Sequence, residues 1–194
     1  MSKQKIFPAL SLTLLIIGFV YGLILPFCWG NNPFEPLGTL SILCENRKIF
    51  FWLWTILGGG ALFLNINLMY IKYGNANRLV RLLPVIAIIF ACGIALTLGH
   101  SIADWNPKRV IHWISTGGYV VFLVLSIMVY ALFNIKNGKI FRIILIGVLC
   151  VFLIFCFMFF VLGKSGMMEL IPFALLQILL FIINFCIDKN KVWC

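Results

Sequence analysis

Charge is scarce in this sequence, and negative charge is scarcest. Asp, Glu, Lys and Arg make up 10% of its 194 residues, and only five residues are acidic. A soluble domain carries roughly 25% charged residues, so a water-exposed globular surface is excluded. There are two histidines, His100 and His112, too few for a metal centre built on three imidazoles. None of the cysteines stands in a C-x-x-C pair, which removes the zinc-ribbon and thioredoxin signatures. No ionisable residue falls at the middle of a long apolar stretch, where a proton-coupled pump or a voltage sensor needs one. No repeat of fixed period and no low-complexity segment occurs.

What is present is hydrocarbon: 63% of residues are hydrophobic. Six apolar stretches, at residues 7–29, 50–70, 82–99, 111–133, 143–162 and 170–187, approach the ~20 residues that carry a helix across a bilayer. They are continuous rather than alternating, and in lipid only helices and closed barrels satisfy the backbone internally. The expected fold class is therefore all-α: a polytopic membrane protein, a bundle of six transmembrane helices forming one domain over residues 1–194. Lys3 and Lys5 precede the first stretch, as in a signal peptide. Its apolar core outruns an h-region of about 7–15 residues and no small-residue cleavage motif follows, so it reads as a retained span.

The net charge of +10 sits in short loops beside the spans, so it reads as a signal of orientation rather than of nucleic-acid binding. One side collects Lys3, Lys5, Lys72, Arg78, Arg81, Lys136, Lys139, Arg142, Lys189 and Lys191. The other holds Arg47, Lys48, Lys108, Arg109 and Lys164. The richer side is expected to be cytoplasmic, with both termini inside and the chain in the plasma membrane. Glu35, Glu45, Asp104 and Glu169 then lie outside.

Cys92, Cys150, Cys156 and Cys186 fall within spans and read as small apolar fillers. Cys28 and Cys44 flank the first outer loop and share one compartment, so a disulfide between them and a pair of free thiols are both open. Asn65, Asn67, Gln177 and Asn184 lie inside spans and are expected to hydrogen-bond between helices. Gly18 and Gly22, one turn apart, and Gly58–Gly60 read as sites of close helix packing or bending.

The polar chemistry concentrates in "HSIADWNPKRVIH", His100 to His112. Asn106-Pro107 reads as the cap and first residue of the fourth span. Lys108 and Arg109 then occupy a first helical turn, where cations oppose the helix dipole, on the side that is otherwise poor in cations. A compensating anion is expected: Asp104, Glu35, Glu45, a lipid phosphate or a bound ligand. His112 shares a helix face with Lys108 and Arg109. His100, Asp104 and His112 could supply three zinc ligands, but no H-E-x-x-H or H-x-x-x-H spacing accompanies them. Ser101, Asp104 and His112 hold the ingredients of a triad without a nucleophile-elbow motif. The candidate ligand-binding set is therefore His100, Asp104, Lys108, Arg109, His112, Glu35 and Glu45, with no catalytic residue, metal or cofactor assigned.

The layout resembles a six-span family of prokaryotic membrane proteins distantly similar to the DRAM autophagy modulators. The resemblance rests on Asn32-Pro33 and Leu37-Gly38 in the first outer loop, Asn65 in the second span, Gly99 and Asp104 after the third, and His112 in the fourth. It implies an outer pair, Asp104 and His112. The functional expectation is a non-enzymatic membrane protein whose outer cap binds a lipid headgroup, a small anionic ligand or a membrane partner. One alternative is a substrate-binding subunit of a vitamin or small-solute uptake transporter, with Gly18/Gly22 standing where such proteins carry an Ala-x-x-x-Ala docking pattern. A second is a metal-dependent membrane hydrolase similar to the seven-span ceramidases, which use three histidines.

Overall fold

The computed structural model describes residues 3–30, 34, 44, 47–74, 76–97, 107–162 and 165–187. Among them the chain is all-helical, with six helices long and apolar enough to cross a membrane. They are α1 (Lys3–Ile24), α2 (Lys48–Tyr73), α3 (Arg78–Leu96), α4 (Pro107–Phe133), α5 (Lys139–Leu162) and α6 (Gly166–Phe181), the last prolonged by a π-helical turn to Cys186. A 3-10 turn, Leu25–Gly30, follows α1. Several helices begin a few residues before the apolar stretch read from the sequence. Lys48, Arg78 and Lys139 each open a helix, because a basic residue at a helix end can leave its charge in the headgroup layer while its backbone is already helical.

The helix ends follow local chemistry. The side chain of Asn77 caps α3 by accepting from the Val80 amide at 2.9 Å. Ser165 caps α6 by accepting from Met168 at 3.3 Å, with Glu169 in the first turn where the dipole favours an anion. Gly74 ends α2 at φ 74°, a backbone conformation that other residues rarely adopt.

Helices α2 to α6 form a ring in chain order, each packed on the next, with α6 closing back on α2. Helix α1 lies against both α2 and α6. The α1–α2 seam depends on absent side chains. A β-carbon on Gly18 would stand 3.0 Å from the Leu57 carbonyl oxygen and 3.2 Å from the Gly58 α-carbon, so the close approach expected at this glycine is realised. Where it occurs, α2 carries a π-helical turn, Thr55–Gly59. Large apolar residues such as Leu96 and Phe160, 83% and 84% exposed, cover the outside of the bundle, as a surface facing lipid requires.

At the end of the bundle that carries Lys72, the polar residues inside the spans knit three helices together. Asn65 on α2 donates to the carbonyls of Ser11 on α1 and Ala61 on its own helix. The amide of Asn184 donates to the Asn65 carbonyl at 2.9 Å and to Oδ1 at 3.2 Å. Lys72 Nζ donates to the carbonyls of Ile183, Asn184 and Ile187, closing the last turn of α6. Asn67 instead returns its amide to Phe63 on its own helix. The cysteines correct one expectation. Cys92, Cys150 and Cys186 do not fill gaps between helices but lie exposed on the bundle surface.

Candidate functional site

A cavity of about 500 Å³ opens inside the helix ring, at the end that carries Arg109 and Glu169. Its walls come from the first half of α2 (Phe51, Trp54, Thr55, Gly59), the end of α3 (Ala91, Ile94), α4 from His112 to Val124, the end of α5 (Val151, Phe155, Phe159) and the start of α6 (Met168, Glu169, Pro172, Phe173, Leu176). The stretch of α4 in the wall rises about 18 Å along the helix axis. Two features of the sequence leave this space unfilled. Gly117 and Gly59 contribute no side chain to the lining, and a β-carbon on Gly117 would meet nothing within 4 Å. The aromatic rings that do line it are held off one another's faces: Trp54 packs tilted on Phe51 and Phe173, with centroids 5.5 and 5.1 Å apart.

The polar groups of the wall form a short stripe. His112, Thr116 and Tyr119 succeed one another at the spacings that share a helix face. The Thr116 hydroxyl donates back to the His112 carbonyl at 2.9 Å, and the Thr55 hydroxyl to the Phe51 carbonyl at 3.0 Å. His112 Nδ1 lies 3.2 Å from Thr97 Oγ1, and that hydroxyl donates to the Gly93 carbonyl at 2.6 Å. With its proton directed to Gly93, the Thr97 oxygen is placed to accept from Nδ1, an arrangement that favours the Nδ1-protonated tautomer. Tyr119 is 9% exposed, and its hydroxyl oxygen is buried with no hydrogen-bond partner among the described residues. Glu169 is the one charged residue of the lining among the described residues.

The residues expected from the sequence separate into three groups. His112 lines the cavity. Lys108 is exposed in the first turn of α4, and Arg109 lays its guanidinium over the Trp113 ring, 4.9 Å from the centroid, a cation–π contact. Both stand outside the cavity lining. Glu35, Glu45, His100 and Asp104 lie outside the described residues, as do Asn32-Pro33, Leu37-Gly38 and Gly99 of the family resemblance. Pro107 is the first residue of α4, as Asn-Pro implied.

Cys28 and Cys44 are not joined by a disulfide, and the Cys28 thiol donates to the Ile24 carbonyl at 3.5 Å. Cys44 is buried, and its thiol is pushed up to about 11, chiefly by desolvation and next by the neighbouring Cys28; Arg47 pulls the other way and Glu169 adds to the rise. Cys44 therefore lies within electrostatic range of Glu169, the carboxylate of the cavity. Among the described residues, no three His, Cys, Asp or Glu side chains gather as a metal would require.

The residues missed from the sequence are Tyr119, Glu169, Thr116, Trp54 and Phe173. A signal for the first was available: the spacing of His112, Thr116 and Tyr119 is a polar stripe on an otherwise apolar helix, next to Gly117-Gly118. Glu169 and Phe173 reach the site only through the return of α6 beside α2, a tertiary fact that no local pattern carries. No protein-family model matches the chain, and neither does any curated protein or solved structure.

Proposed function

We propose that this multi-pass membrane protein is a binding protein rather than an enzyme. In this reading it draws an amphiphile from the surrounding leaflet into the α2–α6 cavity, chain inward and polar head toward Glu169, His112 and the Lys108–Arg109 turn. The observation that carries the reading is the cavity itself. Its volume of about 500 Å³ falls within the range of ligand sites, roughly 300–1,000 Å³, and its wall is mostly apolar, with Glu169 and His112 near one end and a few hydroxyls deeper in. That is the polarity of a lipid-like molecule. A small anion or a water-soluble vitamin would call for cations or several donors in the wall. Here Lys108 and Arg109 stand outside the lining, while Thr55 and Thr116 return their protons to their own helices.

The distribution of basic residues supports an orientation with the cavity end extracytoplasmic and both termini cytoplasmic, in the plasma membrane. Membrane lipids are then both solvent and source of ligand. The test is a titration of delipidated protein with 1-monooleoylglycerol, followed by thermal unfolding. A ligand that binds the folded state raises the midpoint in a saturable way, by RT ln(1 + [L]/Kd). No stabilisation at concentrations where the lipid is in large excess would remove the reading.

A further inference from the structure

The chain has five tyrosines, and four of them spend the hydroxyl proton on a backbone carbonyl. Tyr21 donates to Phe50 at 2.9 Å, Tyr70 to Ser126 at 2.8 Å, Tyr73 to Ile183 at 2.9 Å and Tyr130 to Gly74 at 2.7 Å. Tyr119 is the exception. Its hydroxyl is buried and unpartnered among the described residues, and it is the tyrosine whose ring lines the cavity. A buried hydroxyl without a partner is destabilising, whereas Phe would fill the same space at no such cost. The Thr116 and Thr55 hydroxyls spend their own protons on their own helices. Tyr119 lies seven residues below His112 on one face of α4, about 10 Å deeper along the axis, so a ligand seated with its head at His112 passes its chain along this residue.

We infer that the ligand carries a carbonyl oxygen partway along its chain, placed to accept a hydrogen bond from Tyr119. This rests on the amphiphile reading above and narrows it to oxygenated chains: keto- or ester-bearing lipids rather than plain hydrocarbon tails. The Tyr119 phenol supplies the proton, and the surrounding aromatic and aliphatic wall excludes competing water, so recognition depends on where along the chain the carbonyl falls.

The experiment uses full-length delipidated protein and a series of 1-octadecanoylglycerols in which a single keto group is walked along the chain, with the unmodified lipid as reference. Affinity of the wild type is expected to peak at one keto position, about tenfold above the reference, as one well-made hydrogen bond allows. In Tyr119→Phe the peak disappears, so that every keto lipid binds with the affinity that the same variant has for the reference, and the ligand-free variant unfolds at the same temperature as wild type or higher. A flat profile in the wild type, or a peak that survives in Tyr119→Phe, overturns the inference and leaves the amphiphile reading standing. Failure of every member, the reference included, overturns that reading and the inference with it.

Discussion

Lys72 donates to the Asn184 carbonyl at 2.8 Å, while the Asn184 side chain donates to the Asn65 carbonyl at 2.9 Å. One residue of α6 is therefore gripped by α2 at two points, and the lysine also satisfies the Ile183 and Ile187 carbonyls. Lys72→Met strips the last turn of α6 of a charged donor, and the expected loss is about 1–3 kcal/mol, in line with hydrogen bonds to charged groups. Thermal unfolding in detergent measures it. In a double-mutant cycle with Asn184→Leu, the two losses should be non-additive by at least roughly 0.5 kcal/mol, because the groups share one network.

Two glycines of α1 and α2 should respond in opposite ways. At Gly18 an added β-carbon meets the Leu57 carbonyl and the Gly58 backbone, so Gly18→Ala must push the helices apart, at about 1–3 kcal/mol. At Gly60 it meets nothing within 4 Å. Gly60→Ala is expected to leave the protein as stable as wild type or stabilise it by about 0.5–1 kcal/mol through helix propensity. Unfolding midpoints of the two variants, compared side by side, decide the matter.

The Thr97–His112 contact favours one tautomer. With the Thr97 proton directed to Gly93, a neutral His112 is expected to carry its proton on Nδ1. Nitrogen-15 NMR of histidine-labelled protein in a His100→Gln background should show a protonated Nδ1 and an unprotonated Nε2. In Thr97→Val the preference should relax toward a mixture of tautomers. The reverse assignment in wild type would contradict the geometry.

Cys44 supplies a pH dependence. Its folded-state thiol is pushed up to about 11 from an ordinary value of 9.0 by burial and by Cys28. A raised value means that the folded protein holds the proton more tightly than the unfolded chain does. The corresponding stability is fully present below about pH 9 and is lost as pH rises toward 11. Cys44→Ala should flatten that alkaline decline in unfolding midpoint. In the wild type, alkylation of Cys44 should stay slow at pH 8, since the reactive thiolate is scarce.

Much of the fold was legible because it follows from solvent. Apolar runs of bilayer length, with Asn106-Pro107 read as the start of α4, determine six helices with little help from tertiary detail; the caps at Asn77 and Ser165 and the turn at Gly74 came from the structure. The close approach at Gly18 and the interhelical bonds of Asn65 and Asn184 were also readable, but the same reading failed at Asn67, which bonds its own helix, and at Gln177, whose buried amide nitrogen has no partner among the described residues. The site was legible only at His112. Attention to charged loop residues led to Lys108 and Arg109, which stand above the cavity with Arg109 stacked on Trp113. The cavity itself is made of what the sequence shows least well: the missing side chains of Gly59 and Gly117, and walls from α5 and α6 whose register against α2 and α4 no local period encodes. Tyr119 looked like one more apolar residue of a span, because its distinguishing property is the absence, among the described residues, of a partner that the other four tyrosines have.

The most direct test of amphiphile binding is native mass spectrometry of gently extracted protein, comparing wild type with Gly117→Trp. A β-carbon at Gly117 meets nothing within 4 Å and the residue lines the cavity, so the indole is expected to take up the ligand's space. The account predicts that wild type retains a lipid-mass adduct at close to one per chain and that the Gly117→Trp variant, folded to a similar unfolding midpoint, loses it. Equal retention by both proteins, or a wild type that flies bare under conditions that keep other lipids bound to membrane proteins, would contradict it.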